Sequence, residues 1–341
     1  EIRVLDLRPA DKPTESAGTE SGVRVVDVTV CVCDAPSLCR ALRGAHAVIH
    51  AAAAVDVWGR VADSEIRRVN VEGTRNVVRA CVQQEWVSSC SPAAWRSWVP
   101  TSTATPSTGA TRRLATARLH AVAYPASKAE AERLVITASG TALGGGGLLR
   151  TVSLRPLGIY GEGHNVLESY YRRAGGRDGW LLRGVPEDVE HGRVYVGNVA
   201  WMHALALRAL SQGREGVEGE VFYCYDDSPR LSYEDFNMEI LSLCGVRMLR
   251  WLHAPAFFLR LMGMINDALR SALALFGVSY IPLLTRYTVA MALTVFSVDT
   301  DKAARAFGYA PRYSWAQARD RTAAWIRSLD GGGDEADRKG K

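Results

Sequence analysis

The run Ala47-Val48-Ile49-His50-Ala51-Ala52-Ala53 and the stretch from Ile66 to Gln83 decide the fold. The first is short and apolar and ends in small residues, so it reads as a buried strand. The second carries Val69, Val77, Val78 and Cys81 on one side, which reads as a helix. The same alternation extends outward in both directions. Ile2 to Leu7 and Val23 to Val32 read as strands, Ser37 to Arg43 and Tyr124 to Thr137 as helices, and Thr151 to Arg155 as a further strand. Strands alternating with helices predict an α/β chain with a doubly wound parallel sheet. Glu1 already opens an apolar run, so the first strand of that sheet and the turn after it are expected to be missing. Beyond Tyr160 the pattern becomes irregular, with Gly-rich turns and scattered aromatics. The expected organisation is a nucleotide-binding domain over 1–200, a smaller substrate lobe over 201–330 and a disordered polar tail over 331–341.

Composition narrows the functions. The net charge is +5 over 341 residues, with Lys and Arg dispersed. Nucleic-acid binding needs a concentrated basic stripe or a recognisable module, so none is expected. The seven cysteines are odd in number and lack framework spacing, which suits free thiols in a reducing compartment. Cys31 and Cys33 have no second pair to complete a metal site, so no metal is expected. Gly144 to Gly147 is not followed by a Lys-Ser/Thr helix start, so it reads as a loop and not a phosphate cradle.

Between Trp86 and Tyr124 there is no Asp, Glu, Lys, Ile or Phe, while Ser, Thr, Ala, Pro, Arg and Trp dominate. A doubly wound sheet calls for a buried strand there, and no apolar run supplies one. Structureless loops longer than about 15 residues are uncommon inside compact domains.

Tyr124-Pro125-Ala126-Ser127-Lys128 carries the chemistry. At a helix start, Tyr124 and Lys128 are four apart on one face. An ammonium beside a phenol favours the phenolate, and a phenol so tuned can exchange a proton with an alcohol while hydride moves. A Tyr and a Lys at this spacing are common by chance, and a solvated helix face is the bland alternative. Their company lifts them: His50-Ala51-Ala52-Ala53 at a strand end, Asn70-Val71-Glu72-Gly73-Thr74 at a helix start, Leu154-Arg155-Pro156-Leu157-Gly158-Ile159-Tyr160-Gly161, and Val194-Tyr195-Val196-Gly197-Asn198. This ordered set resembles the extended short-chain dehydrogenases. Val55-Asp56-Val57-Trp58-Gly59-Arg60, Glu190-His191-Gly192-Arg193 and Ser232-Tyr233-Glu234-Asp235-Phe236-Asn237 are similar to the 3β-hydroxysteroid dehydrogenase/Δ5-isomerase family. Within it they most resemble the type acting on C27 7α-hydroxylated sterols of bile-acid synthesis.

The resemblance implies a Rossmann-like domain and oxidation of a 3β-hydroxy-Δ5-steroid by NAD, with a following Δ5 to Δ4 isomerisation. It makes Tyr124 the proton acceptor and Lys128 its orienting partner. Asp6 would hold the adenosine ribose, where its charge repels a 2′-phosphate; a strand-end cap is the alternative. His50, Ala51, Ala52, Asn70, Tyr124, Lys128 and Pro156 fall at the family's cofactor positions. Two departures stand out. The family's glycine-rich pyrophosphate turn should precede Glu1, and Ala94 stands where the family supplies a serine. With suitable codons, a one-base shift across Cys90 to Pro100 reads Val-Phe-Thr-Ser-Ser-Met-Glu-Val-Val-Gly-Pro, a family-like strand. Residues 85–118 are therefore read as out of frame, with a divergent loop or a splice variant as the alternatives.

Ala254 to Leu284 is the most apolar region, interrupted by Arg260, Asp267 and Arg270, and so a poor spanning segment. In helical register Phe258, Leu261, Met262, Ile265, Leu269, Leu273 and Phe276 share a side. That suits a helix in the membrane interface or over an apolar pocket, with a core helix pair as the plain alternative. The resemblance implies a steroid partner and peripheral or monotopic association with the endoplasmic-reticulum membrane; a homodimer is left open. Two other functions compete: a sugar-nucleotide epimerase or flavonoid-type reductase of the same fold, and a catalytically dead membrane-associated relative.

Overall fold

The computed structural model describes residues 1–8, 22–56, 58–83, 123–175, 178–184, 187, 189–253, 255–282, 284–295, 298 and 300–331. Residues 85–118, with Ala94 and the proposed change of frame, lie outside the described residues, as does the tail over 332–341.

Strand β1 (Ile2–Asp6) pairs in parallel with β2 (Val25–Thr29), Ile2 opposite Val25 and Asp6 opposite Thr29. Helix α1 (Ala35–Ala41) follows, its start fixed by Asp34, whose carboxylate accepts from the Ser37 amide at 3.2 Å. Helix α2 (Asp63–Arg67) runs through a π-helical turn (Arg68–Glu72) into α3 (Gly73–Gln83). A Cβ at Gly73 would stand 2.7 Å from Val32 Cγ2, so only glycine lets this helix approach the loop after β2. Helix α4 (Ala123–Thr137) precedes β3 (Ser153–Pro156) and β4 (Gly158–Tyr160). Gly144 to Gly147 closes a tight turn bridged from Ala142 to Leu148.

The second half supplies α5 (Asn165–Gly175), β5 (Trp180–Arg183), β6 (Glu190–His191), β7 (Arg193–Tyr195), α6 (Val196–Ser211), β8 (Val221–Cys224), β9 (Leu231–Ser232) and α7 (Tyr233–Leu241). Strand β10 (Arg247–His253), α8 (Ala256–Ala274), α9 (Arg286–Ala292), α10 (Lys302–Phe307) and α11 (Trp315–Gly331) complete the chain. Parallel pairs β3–β8, β4–β7 and β5–β10 join the parallel β1–β2, and only β6–β9 is antiparallel among the described residues. Parallel strands need helical crossovers, which is the α/β architecture that the alternation predicts. Strand β3 and its partner β8 lie on either side of residue 200 in the chain.

Four apolar clusters are found among the described residues, the smallest being Ala131 and Val135 of α4 with Val78 of α3 against them. Leu38, Val77, Cys81 and Leu149 pack the first unit. Leu154, Met202, Phe222 and Phe307 pack α6 and α10 onto β3 and β8. Tyr160, Phe236, Leu241 and Ile326 pack α7 and α11 in the remaining lobe.

One expectation needs correction. Ala47 to His50 is not a strand, and the chain from residue 47 to residue 56 has no regular secondary structure. A strand exists through its ladder, and no strand among the described residues pairs with this segment. Ile49 is accordingly 47% exposed, although His50 is buried.

Candidate active site

Helix α4 begins at Ala123, and Pro125 sits in its first turn, where a missing N–H costs nothing. Tyr124 and Lys128 are both buried, at 4% and 1% exposure. The buried Lys128 charge is felt by His50, whose imidazole is pushed down to about 3, first by burial and then by Lys128. Lys128 therefore lies beside the end of the 47–50 segment, as the motif order suggests.

Two hydrogen-bond runs that meet at Asn70 tie that segment to α4. His50 Nε2 lies 3.2 Å from Thr74 Oγ1, and Thr74 donates to the Asn70 carbonyl at 2.5 Å. The Asn70 side chain accepts from the Ala54 amide at 2.8 Å and donates to the Ala54 carbonyl at 3.0 Å. Its Nδ2 also donates to Ser127 Oγ at 3.0 Å, and Ser127 donates to the Tyr124 carbonyl at 2.7 Å. Asn70 thus plays for Ala54 the part that a neighbouring strand would play. It does so from the π-helical turn, a distortion frequent at functional sites.

One turn beyond Lys128, Glu132 anchors α4 to β3. It accepts from Ser153 Oγ at 2.9 Å and from Arg155 Nε at 2.8 Å, and Arg155 Nη1 donates to the Tyr223 hydroxyl at 3.2 Å. Both charged side chains are about one-tenth exposed, so the pair is shielded from solvent. Pro156, also buried, ends the same strand.

Helix α9 closes the far side. Its start is fixed by a capping box between Thr285 and Thr288. Gly263 of α8 packs directly on it: a Cβ there would meet the Thr285 and Arg286 backbone at 3.0–3.1 Å. Tyr287 stands within electrostatic reach of Tyr124, and burial holds its phenol well above the ordinary range. At the other end, His191 donates to the Ala292 carbonyl. The helix between these residues spans about 7.5 Å. His191 stacks edge-on against Tyr233 at 6.0 Å, and the Arg193 guanidinium lies 4.2 Å from the same ring and 5.2 Å from Phe236. Leu157, Arg193, Asp226, Ser228 and Arg230 line a polar cavity of about 130 Å³ just past the end of β3.

The remaining cofactor candidates are placed as follows. Asp6 ends β1 with an exposed carboxylate that accepts from the Arg8 amide at 3.2 Å. Open α/β sheets bind ligands outside the carboxyl ends of their strands, so its position fits a ribose. Ala51 and Ala52 are exposed between the buried His50 and the tethered Ala54, leaving a small apolar ledge. Asp6 supplies an exposed acid, Ala51 and Ala52 an exposed apolar ledge and Lys128 a buried cation, groups of the kind that a dinucleotide site uses. Cys33 donates to the Arg68 carbonyl at 3.5 Å, and burial pushes its thiol up to about 11.

Glu132, Arg155, Ser127, Thr74 and Tyr287 escaped sequence reasoning. Ser127 and Thr74 lie inside the motifs, but their roles depend on contacts between distant segments. A Glu–Arg pair separated by a helix end and a strand carries no periodic signal.

Comparison with known proteins agrees with this geometry. The family model for the 3-beta hydroxysteroid dehydrogenase/isomerase family matches residues 1–254. The chain is 45% identical over 309 residues to 3 beta-hydroxysteroid dehydrogenase type 7 of Homo sapiens, covering 91% of this chain and 84% of that protein. The Mus musculus type 7 protein is 43% identical over 334 residues, covering 97% and 89%. Among solved structures, a dTDP-glucose 4,6-dehydratase from Streptomyces venezuelae with NAD bound superimposes with a TM-score of 0.61 at 19% identity, over 98% of this chain and 90% of that one. That likeness establishes a shared fold, whereas the sequence relatives separate the steroid enzymes from the sugar-nucleotide ones. The chain belongs to the 3-beta hydroxysteroid dehydrogenase/isomerase family.

Proposed function

We propose that this chain oxidises the 3β-hydroxyl of a 3β-hydroxy-Δ5-steroid with NAD, and that the product isomerises to the 3-oxo-Δ4-steroid. The observation that carries the reading is the pair Tyr124 and Lys128, one helical turn apart and both buried, with Lys128 beside the His50 segment. Lys128 places a cation near the phenol, and an ammonium there favours the phenolate. Tyr124 is then the base that takes the hydroxyl proton as C3 becomes a carbonyl. NAD, when bound, supplies the hydride acceptor. Asp6 is the residue for the adenosine ribose, Lys128 for the nicotinamide ribose, and Ala51, Ala52 and Pro156 for the walls between; His50 and Asn70, buried and hydrogen-bonded within the protein, stand behind these walls and do not reach the cofactor.

A 7α-hydroxylated C27 sterol is the substrate we favour, on the resemblance of residues 55–60, 190–193 and 232–237 to the dehydrogenases that act on such sterols. Association with the endoplasmic-reticulum membrane accompanies it. No described helix is long and apolar enough to cross a membrane. Helix α8 instead exposes Phe257, Phe258, Leu261, Met264, Ile265 and Leu269, each at least 43% accessible. An amphipathic helix of this kind lies in the interface plane, where sterols partition.

The test is steady-state turnover of such a sterol with NAD by purified protein. Tyr124→Phe should lower kcat by about 10²–10⁴-fold while leaving the thermal midpoint within a few degrees. Equal turnover by the variant rejects the assignment.

A further inference from the structure

We propose that His50 is a positioning residue: its Nε2–H holds the Thr74 hydroxyl, which holds the Asn70 main chain, so that the Asn70 side chain is placed to hold Ser127 and, through it, the Tyr124 carbonyl in the first turn of α4. The inference rests on the reading of Tyr124 as the proton acceptor, and it follows from counting protons. Thr74 has a single hydroxyl proton, and it goes to the Asn70 carbonyl at 2.5 Å. Toward His50, Thr74 can therefore offer only a lone pair. The imidazole nitrogen 3.2 Å away must be the donor, which fixes the Nε2–H tautomer.

The second run obeys the same count. Ser127 spends its proton on the Tyr124 carbonyl at 2.7 Å, so it must accept from Asn70 Nδ2 at 3.0 Å. That settles which way the Asn70 amide faces, in agreement with its paired contacts to Ala54. Each of the two runs, from His50 to the Asn70 carbonyl and from Asn70 Nδ2 to the Tyr124 carbonyl, thus has one direction, and the body of Asn70 joins them. Chains of buried hydrogen bonds strengthen one another, and reversing one member leaves a clash of two donors or two acceptors.

His50 suits the post because it stays a neutral donor. Burial and the neighbouring Lys128 push it down to about 3, so it carries no charge at any pH where the reaction is run. A cationic ring here would stand against Lys128 and oppose the ammonium that the phenol needs. The side chain, 4% exposed, is turned inward to Thr74, leaving the adjoining Ala51 and Ala52 as the exposed ledge.

The test combines a tautomer measurement with a graded set of variants of the full chain. Two-dimensional ¹⁵N–¹H spectra should show His50 as the neutral Nε2–H form from pH 5 to 8; an Nδ1–H form or an imidazolium overturns the proposal. His50→Leu should lower kcat about tenfold with KM changed less than twofold, and speed amide exchange in the first turn of α4. His50→Gln, which keeps an N–H donor, should recover most of both effects. Should His50→Leu fail to fold, Thr74→Val breaks the next link and is expected to match its kcat and exchange phenotype, with Thr74→Ser as the rescue. Wild-type exchange and kcat in both His50→Leu and Thr74→Val would defeat the proposal. If wild-type protein turns over no sterol, the reaction proposed above fails, and the tautomer and exchange measurements still decide the role of His50.

Discussion

Three buried histidines, His50, His191 and His203, are held below the ordinary value by burial and make the residue scale testable by pH. Burial pushes His50 down to about 3 and His191 to about 4, with Lys128 and Arg193 as the second causes. An unfolded histidine titrates near 6.5, so below that pH the unfolded chain binds protons that the folded chain refuses. Stability is thus full above pH 6.5 and is lost as pH falls toward 4, by about 1.4 kcal/mol per unit for each residue. Denaturant melts between pH 6.5 and 5, above the carboxylate range, should show this slope, and His191→Gln should remove a part of it, the rest staying with His50 and His203. The buried Glu132–Arg155 pair gives a second expectation. Glu132→Gln leaves the Arg155 charge without its partner and should cost ~3–5 kcal/mol, read as a lower denaturation midpoint at unchanged slope. Tyr124 and Lys128 were legible as candidates because helix geometry alone puts them on one face. The links from His50 to Thr74 and from Asn70 to Ser127 were not, because each joins segments whose meeting only the fold decides.

Helices with a strong period, from residue 63 to 83 and from 123 to 137, were readable as elements, since a helix is written in local spacing. The π-helical turn inside the first was not, for it inserts no residue type that a pattern could flag. Residues 47–50 show the opposite failure: their apolar run looks like a strand, yet a strand also needs a partner ladder. Helix α8 was half legible. The sequence groups Phe258, Leu261, Ile265 and Leu269 on one side, and the fold turns that side outward. Leu259 and Gly263 are buried instead, with Asn266 donating to the Leu284 carbonyl at 2.9 Å and Asp267 accepting from the Arg286 amide at 3.2 Å. Gly263→Ala should force α8 and α9 apart and cost ~1–3 kcal/mol, measurable as a fall in thermal midpoint. Phe258, Leu261 and Ile265 are each about half exposed, so replacing them together by Ser should lower the midpoint by only a few degrees while flotation with phospholipid vesicles is lost. Flotation equal to the parent would refute the interfacial role of α8.

At the scale of the whole molecule, alternation along the chain predicts parallel pairing, and four parallel strand pairs bear it out. What alternation cannot say is how the second half folds back: β8 joins β3, and α9 reaches from Tyr124 to His191. That return brings residues from both halves around one site, with Tyr124 and Lys128 on one side and Tyr287, His191 and Arg193 on the other. The arrangement explains why the family's motifs are scattered along the chain and why no short segment would bind a sterol by itself. The most direct measurement follows the hydride itself. Purified protein is given NAD and a 3β-hydroxy-Δ5-sterol carrying tritium at C3 on the α face. The account predicts tritium in the reduced nicotinamide, a 3-oxo-Δ4 product in equal amount, and loss of both in Tyr124→Phe. Tritium that stays with the sterol, or transfer undiminished in the variant, would contradict it.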